Sequence, residues 1–251
     1  MLFAHWPATG DAVRRLLPSP VEPDVRDGRA WIGIVAFRMT ETRAAGLVPP
    51  RGLGPIPELN VRTYVRAAGQ PGVWFLSLDT SSPLFVTVGR AIYGLAYHRA
   101  RMVIARSGAR VHYASARGPA AFAASYEPAD RGAPAAPGSL AHWLVERYRL
   151  FAVRGRRLVT AEVAHPAWTL QPADARIELN TLEPRGIRFR GEPLLHYSAG
   201  VDALISTPEP VAVQDLPGEP HWQPARPPRA RCAREDAWHG HATREARAVG
   251  G

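Results

Sequence analysis

The sequence predicts a mainly β (α+β) fold: a β barrel or mixed sheet with a few short peripheral helices. Short runs that alternate apolar and polar residues recur along the chain, punctuated by glycine and proline, which is how many short strands are written. Helix-like segments are few and short. Size is the third observation: 251 residues with 46% apolar side chains are enough for one large, mostly β unit with a real core. That unit is expected over residues 1–216, followed by a Pro- and Arg-rich tail, 217–251, in which no apolar period survives and disorder is expected.

Taken in order, Thr9 to Leu17 reads as a short helix. Thr9 is its N-cap, Pro18 and Pro20 stop it, and Val13, Leu16 and Leu17 share one face. His5-Trp6 ahead of it reads as a core anchor. Asp27-Gly28 turns the chain into a long strand, Arg29 to Met39, whose near-continuous apolar character implies burial on both faces. Residues 44–57 hold Pro49, Pro50, Gly52, Gly54, Pro55 and Pro57 and form a loop placed where a site would be covered. Asn60 to Val65 is a strand with Asn60, Arg62 and Tyr64 on one face and Val61, Thr63 and Val65 on the other. Gly72 to Asp79 sets Trp74, Leu76 and Leu78 against Val73, Phe75, Ser77 and Asp79.

Pro83 to Tyr93 reads as a helix crossing to a third run, Tyr97-His98-Arg99. His98 to Ser107 and Ala109 to Arg117 form a hairpin about Ser107-Gly108, and 127–138 is a polar loop. Ser139 caps a helix that runs to Tyr148. Arg149 to Val153 and Arg157 to Val163 make a second hairpin, Ala173 to Leu182 is a helix led in by Pro172, and Leu194 to Tyr197 and Gly200 to Ser206 are closing strands.

Composition narrows the chemistry. All 31 Lys/Arg residues are arginine, so no side-chain amine exists to form a Schiff base or act as a desolvated base. A formal charge of +9 raises nucleic acid as a partner. The arginines are scattered, however, with Arg154-Gly155-Arg156-Arg157 the densest cluster, and no nucleic-acid-binding motif accompanies them. A nucleic-acid partner is not expected. The single cysteine, Cys232, excludes an internal disulfide framework and a CxxC site. Cys232, His239 and His241 lack the spacing and rigid setting of a zinc site, so neither metal nor cofactor is expected. No stretch approaches the ~18 apolar residues of a membrane span, and the first residues lack a signal-peptide pattern. The expected place is the cytoplasm, with no membrane partner.

One ordered set of motifs is specific: His5-Trp6; Leu16-Leu17-Pro18; Ala30-Trp31-Ile32-Gly33; the run Pro57 to Val65; the run Gly72 to Asp79; Glu146-Arg147-Tyr148; His165-Pro166-Ala167-Trp168; and His196 to Asp202. Across residues 3–210 it resembles the bacterial YqjF-like family, DUF2071, which has no established activity. A more distant resemblance is to acetoacetate decarboxylase, which implies a β barrel enclosing a mostly apolar pocket. That enzyme carries a pattern close to Gly-Arg-Glu-x-x-Gly-x-Pro-Lys-Lys, in which the first lysine forms the imine. The comparable run is Gly89-Arg90-Ala91-Ile92-Tyr93-Gly94-Leu95-Ala96-Tyr97-His98. The glycines and the arginine match, and the lysine pair becomes Tyr97-His98. Glu58 takes a place like that of the decarboxylase's pocket glutamate. With the α-amine as its only primary amine, the chain is expected not to run imine chemistry unless its N-terminus folds in.

The candidate catalytic residues are therefore Glu58, Tyr97 and His98. Glu58 or His98 would move a proton and Tyr97 would donate to a developing enolate oxygen. The candidate substrate-binding residues are Asn60, Arg62, Tyr64, Asp79, Arg90, His196 and Tyr197. Arg62 either grips a ligand carboxylate as a bidentate fork or is the buried partner of Glu58 or Asp79. His98 has the alternative of a surface histidine, Tyr97 that of a core hydroxyl, and His196-Tyr197 either close the pocket or seal the barrel. Three functions remain open: a non-imine enzyme acting on a small organic acid or carbonyl compound, a small-molecule binding protein on the same scaffold, and a structural or partner-docking protein.

Overall fold

The computed structural model describes residues 1–39, 43–44 and 55–212. Among these the chain begins with β1 (Leu2–Ala8), α1 (Gly10–Arg14), β2 (Glu22–Pro23), β3 (Ala30–Met39) and β4 (Arg43–Ala44). It continues with β5 (Ile56–Ala67), β6 (Gln70–Thr80), α2 (Pro83–Tyr93), β7 (Tyr97–Arg99), β8 (Arg101–Ser107), β9 (Arg110–Arg117) and β10 (Ala120–Pro128). The remainder is β11 (Ala133–Pro134), α3 (Leu140–Val145), β12 (Arg149–Arg154), β13 (Arg157–Ala164), β14 (Thr169–Asn180), β15 (Leu194–Tyr197), β16 (Leu204–Ile205) and β17 (Glu209–Pro210). The covering loop expected at 44–57 falls mostly outside the described residues, as do the tail 217–251 and Cys232, His239 and His241.

The main ladder runs β8-β9-β10-β14-β15-β1-β3-β5-β6-β12-β13. Its pairs are antiparallel except at β6, where β12 and β7 both lie parallel. The result is an open mixed sheet, one of the two forms expected, and not a closed barrel. The outer edge of β6 is divided: Val73 and Trp74 pair with β12, while Leu78 to Thr80 pair with β7. The two continuations therefore diverge. Past Ala100, β8 pairs with β9 among the described strands, and beyond β13 lie only the short β16 and β17.

The mainly β character, the long buried strand and the two hairpins follow the sequence pattern. Ala30 to Ala36 of β3 is buried throughout, because each face of the sheet carries its own core. One core takes Leu2, Ala4, Trp6, Ile32, Ile34, Leu59 and Val61; the other takes Phe3, Trp31, Val35, Tyr64 and Leu78. Thr9 caps α1 by accepting from the Ala12 N–H, and Ser139 caps α3 by accepting from the His142 N–H. Both helices end earlier than expected, at Arg14 and Val145. Of the strand expected at 200–206, only Leu204–Ile205 is extended and paired.

Two expectations fail for physical reasons. Residues 173–182 are not helical: most of this stretch belongs to β14, antiparallel to β10. Ala173, Ala175 and Ile177 pack toward the core while Asp174, Arg176 and Glu178 are exposed, a period of two that outweighs helix-forming composition. On β6 the single alternating face also fails. A bulge opposite Val61 and Arg62 shifts the register, so Trp74 and Leu76 join one core while Leu78 joins the other.

Candidate functional site

Register across β1, β3, β5 and β6 arranges one face of the sheet in rows. Phe37, Glu58 and Thr80 form the first row. His196, Phe3, Val35, Asn60, Leu78 and Tyr97 form the second. Leu194, His5, Gly33, Arg62 and Phe75 form the third. Glu58, Asn60, Arg62 and Tyr64 thus follow one another along one face of β5, as alternation from Asn60 to Tyr64 led us to expect.

At one end of this polar line Tyr97 Oη donates to Glu58 Oε2 at 2.6 Å, and Asn60 Nδ2 reaches Glu58 Oε1 at 3.5 Å. Glu58 and Asn60 are 4% exposed and Tyr97 is 9% exposed. Burial raises the Glu58 pKa to about 7, outweighing the opposing hydrogen bonds from Tyr97 and Asn60. The Tyr97 hydroxyl is pushed well above its ordinary range by burial and by the neighbouring Glu58 charge. From below, the Tyr113 hydroxyl donates to the Glu58 backbone carbonyl at 2.7 Å and fixes the strand. The pair has the make-up of an acid–base couple, with a carboxyl titrating near neutrality beside a phenol that stays protonated.

The Gly89–Gly94 segment explains how Tyr97 arrives there. A Cβ on Gly89 would lie 2.3 Å from Tyr97 Cδ2, so the absence of a side chain on α2 makes room for the ring. Gly94 ends α2 at φ 68°, and a Cβ there would meet the Val153 carbonyl oxygen at 2.3 Å. Arg90 Nε donates to the Tyr97 carbonyl at 2.7 Å, so Arg90 braces β7.

Further along β5, Arg62 pairs with neither Glu58 nor Asp79. Its Nη2 donates to the Leu144 carbonyl at 3.2 Å, and its guanidinium lies 5.7 Å from the ring centres of both Phe3 and Tyr64. Arg147 stacks on Trp143 at 4.2 Å, lies 5.3 Å from Tyr64 and is paired with Asp24 at 2.9 Å. The Tyr64 hydroxyl is fully buried. Arg62 and Arg147 favour its ionised form, yet burial dominates and raises its pKa. Arg62 reaches toward that oxygen without a hydrogen bond of ordinary geometry.

Other expected site residues fall elsewhere. His98 points to the sheet face opposite Tyr97, with Nδ1 3.4 Å from Arg90 Nη2. Burial, then Arg117 and Arg90, lowers its pKa to about 4. Asp79 also faces away from Glu58. It pairs in register with Leu59 and binds Arg117 Nε at 2.9 Å. His196 and Tyr197 separate: His196 joins the row of Phe3 and Asn60, with its pKa lowered by burial, while Tyr197 enters the other core beside Tyr126.

The N-terminus does fold in. The Met1 α-amine donates to the Ser198 carbonyl at 2.6 Å, and burial, then Arg106 and Arg38, lowers its pKa to about 5. It lines a cavity of about 360 Å³ with Arg38, Arg106, Tyr126 and Asp202, and neither Glu58 nor Tyr97 borders that cavity.

His5 was read from sequence only as part of a core anchor. It is fully buried on the third row, and neither ring nitrogen has a hydrogen-bond partner among the described residues. Among the described residues no helix is long and apolar enough to cross a membrane.

The fold is shared with solved enzymes at low sequence identity. An enduracididine biosynthesis enzyme, MppR, complexed with pyruvate is 15% identical, with a TM-score of 0.61 over 83% of this chain and 86% of that one. Acetoacetate decarboxylase from Legionella pneumophila is 14% identical, with a TM-score of 0.57 over 85% of each chain. An acetoacetate decarboxylase-like enzyme from Sphingomonas wittichii RW1 is 14% identical, with a TM-score of 0.58 over 84% of this chain and 89% of that one. These similarities establish an acetoacetate decarboxylase-like fold. In sequence, the uncharacterized protein YqjF of Bacillus subtilis is 40% identical over 210 residues, 82% of this chain and 87% of that protein. The family model DUF2071, an uncharacterized conserved protein, matches residues 1–202. With a family match over most of its length and a relative this similar, the chain belongs to the DUF2071 family.

Proposed function

We propose that this DUF2071 protein is a small-molecule pocket protein that performs acid–base chemistry on a small organic acid or carbonyl compound without an imine. The observation that carries the reading is the buried Tyr97–Glu58 hydrogen bond, with Glu58 titrating at about 7. The ionised Glu58 takes a proton from a carbon next to a carbonyl group. Tyr97 donates to the oxygen on which negative charge develops, and both transfers reverse to complete exchange. Asn60 orients Glu58, and Arg62, which has no carboxylate partner among the described residues, anchors the anionic end of the ligand. The similar MppR enzyme binds pyruvate, a keto acid of the class proposed here.

A second reading is a binding protein with the same pocket and no turnover. It draws support from the near-complete burial of Glu58, Asn60 and Tyr97, which leaves little room for exchange with solvent. The two are separated by proton NMR in D2O with pyruvate and 2-oxobutyrate. The enzyme reading expects loss of the signals from the carbons next to the carbonyl at a rate above buffer, slowed about 100-fold in Glu58→Gln. Thermal stabilisation by these acids with no exchange selects the binding reading. Neither exchange nor stabilisation sinks both.

A further inference from the structure

The cavity of about 360 Å³ beside the N-terminus takes no part in the acid–base chemistry proposed above, since neither Glu58 nor Tyr97 borders it. Its walls come from distant parts of the ladder. Arg38 stands near the end of β3 and Arg106 near the end of β8, and β9, β10, β14, β15 and β1 lie between those strands. Curling of the sheet brings both arginines to one opening. Neither guanidinium has a hydrogen-bond or ion-pair partner among the described residues. Tyr126, 2% exposed, lines the same cavity, and its hydroxyl likewise has no hydrogen-bond partner among them. Three donors from three strands thus border one space with their hydrogen-bonding capacity unused.

Charge selects the occupant. Arg38 and Arg106 bring two positive charges to the lining and Asp202 brings one negative. The excess acts on the walls themselves. Burial and Tyr197 raise the Tyr126 pKa, while Arg106 and Arg38 oppose them by favouring the ionised hydroxyl. A single negative charge balances the lining, and a dianion overshoots it. Guanidinium forks match a carboxylate through paired N–H donors. Phe37, Ile104 and Val111 supply apolar wall for a hydrocarbon body, and the volume falls at the lower end of the about 300–1,000 Å³ usual for small-molecule pockets. We propose that this cavity binds a small monocarboxylate with an apolar body, its carboxylate held by Arg38 and Arg106. Asp202 repels a second carboxylate. The site is separate from the Glu58–Tyr97 pair and does not rest on the reading given to that pair.

The test uses the full chain labelled with ¹³C-tyrosine, titrated with sodium benzoate, with benzamide as its uncharged isostere, and with sodium phosphate at matched ionic strength. Tyr126 is identified by the signals lost in Tyr126→Phe. The expected result is a saturable shift of the Tyr126 ring signals with benzoate and none with benzamide or phosphate. The dissociation constant should rise at least tenfold in Arg38→Gln and in Arg106→Gln. Both arginines are exposed, so the variants keep the fold; if one does not, the other decides the matter. Glu58→Gln should bind benzoate as the wild type does. Tyr126 signals that ignore benzoate, respond equally to benzamide or phosphate, or titrate with an unchanged constant in either arginine variant overturn the proposal. Loss of benzoate binding in Glu58→Gln also overturns it, because the ligand then belongs to the other site.

Discussion

Tyr97 Oη and Glu58 Oε2 lie 2.6 Å apart on neighbouring rows of one sheet face, although the two residues are separated by 39 positions in the chain. The contact depends on β7 pairing parallel to β6 at Leu78, which sets Tyr97 in the row of Leu78 and Asn60, one row from Glu58. It gives a buried carboxyl a donor without giving it a cation.

That environment fixes the sign of a pH effect. Glu58 holds its proton more tightly in the fold, at about 7, than at its ordinary value of 4.5. Between these values the folded state binds more protons than the unfolded state, so stability falls as pH rises from about 4.5 to about 7 and levels off above. The loss is on the order of 3 kcal/mol. Glu58→Gln removes it. The difference in Tm between the variant and the wild type should grow in the variant's favour across that window and then stay constant. A difference independent of pH contradicts the assignment.

Tyr97→Phe removes the hydrogen bond that opposes burial at Glu58. The carboxyl should then titrate above 7. At pH 8, where Glu58 would otherwise be ionised, the variant should lose about 1–3 kcal/mol, and less at pH 5. Urea denaturation at both pH values measures the two losses.

Gly89→Ala puts a methyl group 2.3 Å from the Tyr97 ring. Either α2 or Tyr97 must move, at a cost of about 1–3 kcal/mol. If Tyr97 moves, any carbon–hydrogen exchange should fall as it does in Tyr97→Phe, although Gly89 touches no ligand. Stability and exchange measured on the same sample separate the two responses.

The Arg147–Asp24 ion pair is buried, with side-chain exposures of 7% and 11%. Among the described residues, Arg147→Met leaves Asp24 with only Arg66 at 4.0 Å, and it should cost about 3–5 kcal/mol. Removing both charges, as Arg147→Met with Asp24→Asn, should recover much of that loss. A double variant no better than the single one would place the cost in lost packing on Trp143 instead.

What could be read from the sequence was local. Alternation from Asn60 to Tyr64 set those side chains on one face, and the apolar run Ala30 to Ala36 announced a strand buried twice over. Gly89, Arg90 and Gly94 matched the decarboxylase's imine segment, with Arg90 a candidate substrate ligand, and in the structure these residues hold Tyr97 in place.

What was missed depended on register or on neighbours. The β6 bulge leaves no trace in the alternating pattern, yet it moves Leu78 to the other core from Trp74. In β14, alanine, arginine and glutamate favour a helix in isolation, and pairing with β10 overrides them. His98 and Asp79 share a pairing position on the face away from Tyr97 and Glu58, so neither adjoins the acid–base pair. His5 lies in a strand that the reading did not anticipate. Its one signal was Gly33, since a lone glycine inside a strand marks a close approach.

Burial beside Tyr97 raises the Glu58 carboxyl toward neutrality. Its direct measurement is a pH titration of the protein labelled with ¹³C at the glutamate side-chain carboxyl carbon, with Glu58 identified by the signal lost in Glu58→Gln. Glu58 should show an inflection near pH 7, moved higher in Tyr97→Phe. An inflection at about 4.5, unchanged by Tyr97→Phe, contradicts it.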